Sequence, residues 1–193
     1  MITSLPRIAI AARDFDALVR AFRDGLGMPV VDLSPSSVES LGAKLAMCVP
    51  AGGSNIELMS PAKPEAPLAQ SLERFLARRG DGPFALMLEA PDPNAEAALL
   101  AARGLDVLPL MAGAGGRDVH PRSTHGVLVR VYPSRSFVPE PAQIQRNAER
   151  ALGLSGIVRA LIAVRDVESA LDAYGRRFGL AASASGYDAA RGV

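Results

Sequence analysis

Two rhythms of apolar residues organise this chain. In residues 7–11 the run RIAIA sets Arg7, Ala9 and Ala11 in phase, opposite Ile8 and Ile10, as a strand does. Past Asp14 the spacing changes: Phe15, Leu18, Val19 and Phe22 recur at i, i+3, i+4 and i+7, which is one face of a helix. Asp14 stands where a carboxylate can accept the free amides of the first turn, and Gly27 closes the unit. The same design returns at residues 159–180. Asp166 leads Val167, Ala170, Leu171 and Tyr174, and the copy aligns with residues 7–28 without a gap at an offset of 152 (159 minus 7). Arg7/Arg159, Ile10/Ile162, Ala11/Ala163, Arg13/Arg165, Asp14/Asp166, Ala21/Ala173 and Gly27/Gly179 are identical. A fixed offset of this kind means that one strand–helix unit is built twice.

Between the copies, residues 34–40 read as a polar connection, 43–49 and 55–59 as strands joined by a Gly-rich turn, and Leu68, Leu72, Phe75 and Leu76 as the apolar face of a helix stopped by Gly80 and Gly82. A further strand–helix unit follows: strand 84–90, the cap Asp92-Pro93, and helix 95–103 ending at Gly104. Then come a short strand around 107–110, a Gly113–Gly116 loop read as a flap, the segment His120-Pro121-Arg122-Ser123-Thr124-His125-Gly126, and a strand over 127–132. Residues 133–141 look like a linker and 141–152 like a connecting helix. The expected organisation is a complete module over 1–137, a linker with a helix over 138–155, and the start of a second, truncated module over 156–193.

The chain of 193 residues is 49% hydrophobic, enough for one or two domains with a real core. A net charge of +1 gives no argument for nucleic acid or an anionic membrane. Cys48 is the only cysteine, which excludes an intrachain disulfide and a thiolate metal cluster and fits a reducing compartment. No apolar run approaches the ~20 residues needed to span a bilayer, and charge at Arg7 and Arg13 interrupts any signal-peptide core. The expectation is a cytoplasmic protein. An inert buried thiol is preferred for Cys48, since no basic run surrounds it.

Two stretches carry a family resemblance. Ile56-Glu57-Leu58-Met59-Ser60-Pro61 is followed by Pro67-Leu68-Ala69, Phe75-Leu76 and Arg79-Gly80, and His120-Pro121-Arg122-Ser123-Thr124 by Gly126-Val127-Leu128-Val129. With the repeated strand–helix units, these resemble the vicinal oxygen chelate superfamily of glyoxalases, bleomycin-resistance proteins and extradiol dioxygenases, and within it the methylmalonyl-CoA epimerases. The resemblance implies an α+β fold of paired βαβββ units, a curved mixed sheet around a pocket. It also implies a metal site drawn from four strands: a His, an acid or amide, a second His and a Glu. Those positions fall here on Arg7, Glu57, Ala85 and Arg130, so one ligand of four is retained. The family's general-base Glu falls near Ser40, with Glu39 one place away.

Alternation gives an independent expectation for the same residues. Glu57 is in phase with Asn55 and Met59, Ala85 with Met87 and Glu89, and Arg130 with Leu128 and Tyr132. If these faces meet, Arg7, Glu57 and Arg130 converge, either as an internal Arg–Glu–Arg network or as a receptor for carboxylate or phosphate. Candidate catalytic residues are Glu57 and His125; candidate ligand-binding residues are Arg7, Arg130, Asn55 and Arg122; no metal ligand set and no cofactor are expected, a divalent metal being the disfavoured alternative. His120 and His125, five apart across a loop, make a poor metal pair, and structural hydrogen bonding is the plainer reading. Three functions stay open: metal-independent conversion of a small carboxylate or acyl-CoA thioester, ligand binding without chemistry of the bleomycin-resistance kind, and a structural module whose working site lies in the missing part of the second module, where a metal-dependent isomerase, lyase or dioxygenase is the further alternative. An apolar helix face of Val167, Ala170, Leu171 and Tyr174 left uncovered by a truncated second module predicts a homodimer.

Overall fold

The computed structural model describes residues 1–111, 113, 115–145, 152–182, 186 and 189–190. Its strands form a seven-stranded mixed sheet in the order β2-β3-β4-β1-β5-β7-β6, so the architecture is α+β, as the family resemblance implies. The first half contributes β1 (Ser4–Ala11), α1 (Phe15–Arg20, continued by a π-helical turn over Ala21–Gly25), β2 (Val30–Asp32), α2 (Ser34–Leu41), β3 (Ala43–Cys48) and β4 (Asn55–Pro61). After α3 (Pro67–Arg79), the second half adds β5 (Gly82–Ala90), α4 (Pro93–Ala102), β6 (Arg117–Val119) and β7 (Leu128–Pro133). β1 runs parallel to β4 and β5 parallel to β7, while the halves join through the antiparallel β1–β5 pair.

The two faces of the sheet divide by period two. On the outer face, Ile10, Ala46, Cys48, Ile56 and Leu58 pack with Phe15, Leu18, Val19 and Phe22 of the first helix, and Leu88, Val129 and Val131 pack with Leu100 of α4. The inner face presents Ala9, Ala11, Leu45, Met59, Ala85 and Met87, in one cluster with Leu68, Leu72 and Leu76 of α3. Each of those three leucines is buried, and burying such a side chain stabilises by about 1.5–3 kcal/mol. Asp14 and Asp92 are the caps that the sequence predicts: Asp14 accepts from the Ala17 amide, and Asp92 from those of Asn94 and Ala95.

Several expectations are corrected. Residues 34–40 are not an irregular connection but most of a helix, opened by Pro35 and closed at Gly42 in the left-handed conformation, with the buried Ser37 hydroxyl donating to the Ala43 carbonyl. The strand expected around 107–110 reduces to one bridge, Val107 with Val119. Of the helix expected over 141–152, the described part is a single 3₁₀ turn at Pro141–Gln143, and residues 146–151 lie outside the described residues.

The second copy of the repeat keeps its helix but not its strand. α5 (Val167–Leu171) is capped by Asp166, whose carboxylate accepts from Ser169, and continues as a π-helical segment over Asp172–Arg177. Where β1 has two neighbouring strands, residues 158–163 lie outside any ladder, and only Ile157 bridges, to Ser54. The helix face expected to stay uncovered is half covered by the chain itself. Ala170 is buried, and Tyr174 packs into the outer-face cluster of the second half. The Tyr174 hydroxyl donates to the Thr124 carbonyl (2.7 Å). Val167 and Leu171 remain 40% and 39% exposed. Among the described residues no helix is long and apolar enough to cross a membrane.

Candidate functional site

Strand register assembles the site. Asn55 on β4, Arg7 on β1, Met87 on β5, Arg130 on β7 and Asp118 on β6 are successive partners, so their side chains form one row across the inner face. A second row, displaced by two residues, holds Met47, Glu57, Ala9, Ala85 and Leu128. The halves obey the same offset. Glu57 lies two residues beyond the partner of Arg7, and Arg130 two residues beyond the partner of Ala85. The four positions that the family resemblance assigns to a metal are therefore related in the two halves, and all four face inward.

Arg7, Glu57 and Arg130 are 6%, 3% and 5% exposed. The structure separates the two arginines by Met87, which puts their Cα atoms two strand spacings apart, roughly 10 Å. Their guanidiniums lean back over a shared ring: Arg7 Cζ lies 4.6 Å and Arg130 Cζ 5.7 Å from the centre of Tyr132, in cation–π range. The expected Arg–Glu–Arg network is only half present. Arg130 is held instead by Asp118, with Nε to Oδ1 and Nη2 to Oδ2 both at 2.5 Å, and it also donates to the Tyr132 oxygen (3.4 Å) and the Met111 sulfur (3.7 Å). Cross-strand opposition of opposite charges explains the pairing.

Arg7 is less fully engaged. Its Nη1 lies 3.6 Å from Glu57 Oε2, a charge pair beyond hydrogen-bond reach, and its Nη2 donates to the Ser136 hydroxyl. Glu57 Oε2 is buried without a hydrogen-bond partner. Burial raises the Glu57 carboxyl above the ordinary carboxylate range, against the pull of Arg7 and then Arg130. Tyr132 is raised as well, chiefly by burial and next by the Glu57 charge. For Arg130, burial opposes the charge, but the bonds to Asp118 and Tyr132 outweigh it and hold its pKa above the usual arginine value.

The remaining candidates fall elsewhere. Asn55 stands beside Arg7 in the first row. His125 has a left-handed backbone (φ 54°) and its ring is 6.4 Å from that of Tyr174. It precedes Leu128, three strand spacings (roughly 14 Å) from Glu57, so the structure does not bring His125 and Glu57 together. Arg122 is exposed and pairs with Asp106 (2.5 Å), on a turn capped by His120 Nδ1. Glu39 lies on α2, not on a strand, and is ion-paired with Lys63 at the surface (2.6 Å). Of the Gly113–Gly116 loop, Gly116 packs on Arg130, where a Cβ would meet the arginine Cγ at 3.0 Å. Cys48 is buried in the outer-face cluster, and burial pushes its thiol up to about 12, so no thiolate forms near neutral pH.

Three residues at the site escaped the sequence reading: Asp118, Ser136 and, as a contributor in its own right, Tyr132. Alternation marks Tyr132 as sharing Arg130's face. Asp118 sits in a strand of three residues, too short for period two to show. Ser136 lies in what reads as a linker, and no pattern points to it.

A divalent ion needs several oxygen, nitrogen or sulfur donors. Here Glu57 is one carboxylate, Ala85 has no donor, and the guanidiniums of Arg7 and Arg130 are permanently protonated. Among the described residues no three His, Cys, Asp or Glu side chains cluster as a possible metal site. This donor set does not fit the ion that the resemblance implies.

A four-stranded and a three-stranded strand–helix half joined into one mixed sheet, with the site rows on its inner face, define a glyoxalase-like α+β domain. The profile of the Glyoxalase/Bleomycin resistance protein/Dioxygenase superfamily matches residues 7–120, and the chain belongs to that superfamily. Among solved structures, a Streptomyces coelicolor methylmalonyl-CoA epimerase variant in complex with 2-nitronate-propionyl-CoA is similar over 72% of this chain and 100% of its own, at 26% identity and a TM-score of 0.56. The Mycobacterium tuberculosis methylmalonyl-CoA epimerase is similar over 69% and 89% of the two chains, at 26% identity and 0.56. A Bacillus halodurans protein at 22% identity (71% and 98% covered, TM-score 0.56) shares the fold. A comparison with curated proteins finds none that matches this chain.

Proposed function

We propose that this protein recognises a small carboxylate, or the acyl group of a CoA-type thioester, on the inner face of the sheet, using a guanidinium where related proteins would use a divalent ion. The carrying observation is the unequal engagement of the two arginines. Arg130 is saturated by Asp118, whereas buried Arg7 has a serine hydroxyl and a carboxylate too distant for a hydrogen bond. A ligand carboxylate offers Arg7 the planar, bidentate partner that it lacks. The similarity to epimerase structures containing acyl-CoA compounds supports the ligand class. Glu57, with its unpartnered oxygen and raised carboxyl pKa, supplies a group able to exchange a proton with such a ligand, which extends the reading from recognition to conversion.

The test is calorimetric titration with small mono- and dicarboxylates and propionyl-CoA, before and after exhaustive chelation, in wild type and Arg7→Ala. Binding indifferent to chelator and reduced at least tenfold in Arg7→Ala is expected, the cost of a charged hydrogen-bonded pair. Binding that vanishes on chelation and returns with zinc or cobalt would refute the reading, as would full affinity in a folded Arg7→Ala. Turnover in chelator that is lost in Glu57→Gln separates conversion from binding alone. Two copies are expected to pair, since Val167 and Leu171 keep an apolar strip exposed on α5.

A further inference from the structure

We infer that Ser136 is an internal placeholder for the ligand's anionic oxygen, and that the strap over residues 134–138 leaves Arg7 whenever that ligand binds. The inference rests on the reading of Arg7 as the anion anchor. The two ends of the contact are unlike: the guanidinium is buried, whereas Ser136 is exposed. Arg7 Nη2 is therefore occupied by a neutral hydroxyl belonging to a surface segment. A hydroxyl is a weaker acceptor for a guanidinium than a carboxylate, which carries the opposite charge and presents two oxygens that match the guanidinium fork. Exchange of one for the other is downhill.

The strap is built to let go. Its near end is fixed where β7 stops at Pro133 and the Ser134 amide donates to the Ala90 carbonyl (3.1 Å). The next residue, Arg135, holds a left-handed backbone at φ 60°, a region that residues with a Cβ occupy at a cost. Releasing Ser136 frees the segment next to that backbone, while the Ser134 amide keeps the root of the segment in place. Tyr132, at the base of the strap, already lies against both guanidiniums, so a ligand entering beneath the strap finds Arg7 backed by an aromatic face.

Propionate is the probe. Ser136→Ala removes the competing acceptor and is expected to tighten propionate binding about fivefold, the equivalent of one ordinary hydrogen bond. Ser134→Ala, on the same segment, is expected to leave affinity unchanged. Amide hydrogen exchange at Arg135 and Ser136 is expected to accelerate when wild type is saturated with propionate. Unchanged or weaker binding in Ser136→Ala, or equal tightening in both serine variants, overturns the strap. If Arg7→Ala abolishes binding while Ser136→Ala does nothing, the strap falls and the Arg7 anchor stands. If Arg7→Ala, still folded by thermal melt, binds as wild type does, or if neither wild type nor Ser136→Ala binds propionate, the strap falls too.

Discussion

Arg130 and Asp118 face each other across two strands, both buried and bonded through two nitrogens and two oxygens. Neither charge has water to fall back on, so removing one partner strands the other. Asp118→Ala is expected to cost about 3–5 kcal/mol in urea unfolding, with much of that loss recovered when Arg130→Met is added. A loss below about 1 kcal/mol would mean that solvent already reaches the pair. The pair also bears on what a sequence shows. Arg130, Arg7 and Glu57 were legible as a set because the family resemblance marks their positions, and alternation along each strand is consistent with their sharing one face. The partition of their charges was not, because it depends on Asp118, whose strand is defined by its neighbour rather than by any pattern of its own.

Secondary-structure elements were legible to the extent that their signals are local. An N-cap is such a signal: Asp92 serves two amides of α4, at 2.9 and 3.0 Å, within three residues of itself. Asp92→Ala is expected to lower stability by about 1 kcal/mol, seen as a lower urea midpoint at an unchanged slope. A changed slope, or no change at all, would assign the carboxylate another role. α2 escaped because its stabilising contacts are tertiary: an inward Ser37, the Gly42 close, and Leu33 and Leu41 packed on the inner-face core. β2 escaped through brevity, with three residues fixed by β3. The strand expected in the second repeat does not form: the pattern is present, yet a strand also needs neighbours. In the described structure residues 158–163 have none in a ladder.

At the scale of the whole molecule, the repeat places nearly the same unit in two settings. In the first, Phe15 is buried against the sheet; in the second its counterpart Val167 is exposed, and the helix docks through Ala170, Ala173 and Phe178 instead. That turn of the helix leaves Val167 and Leu171 as the apolar strip available to another copy. Light scattering at micromolar concentration is expected to give the mass of a dimer, reduced to that of one chain by Val167→Asp with Leu171→Asp. A wild-type mass of one chain would remove the pairing.

Val30 on the outermost strand exchanges both amide hydrogen bonds with Gln145, at 2.9 and 2.8 Å. The first half is therefore unfinished when its own last strand leaves the ribosome. Val30 stays unpaired on that side through synthesis of the entire second half until Gln145 emerges, so a nascent chain halted before that point carries a barer strand edge, open to an extended peptide nearby.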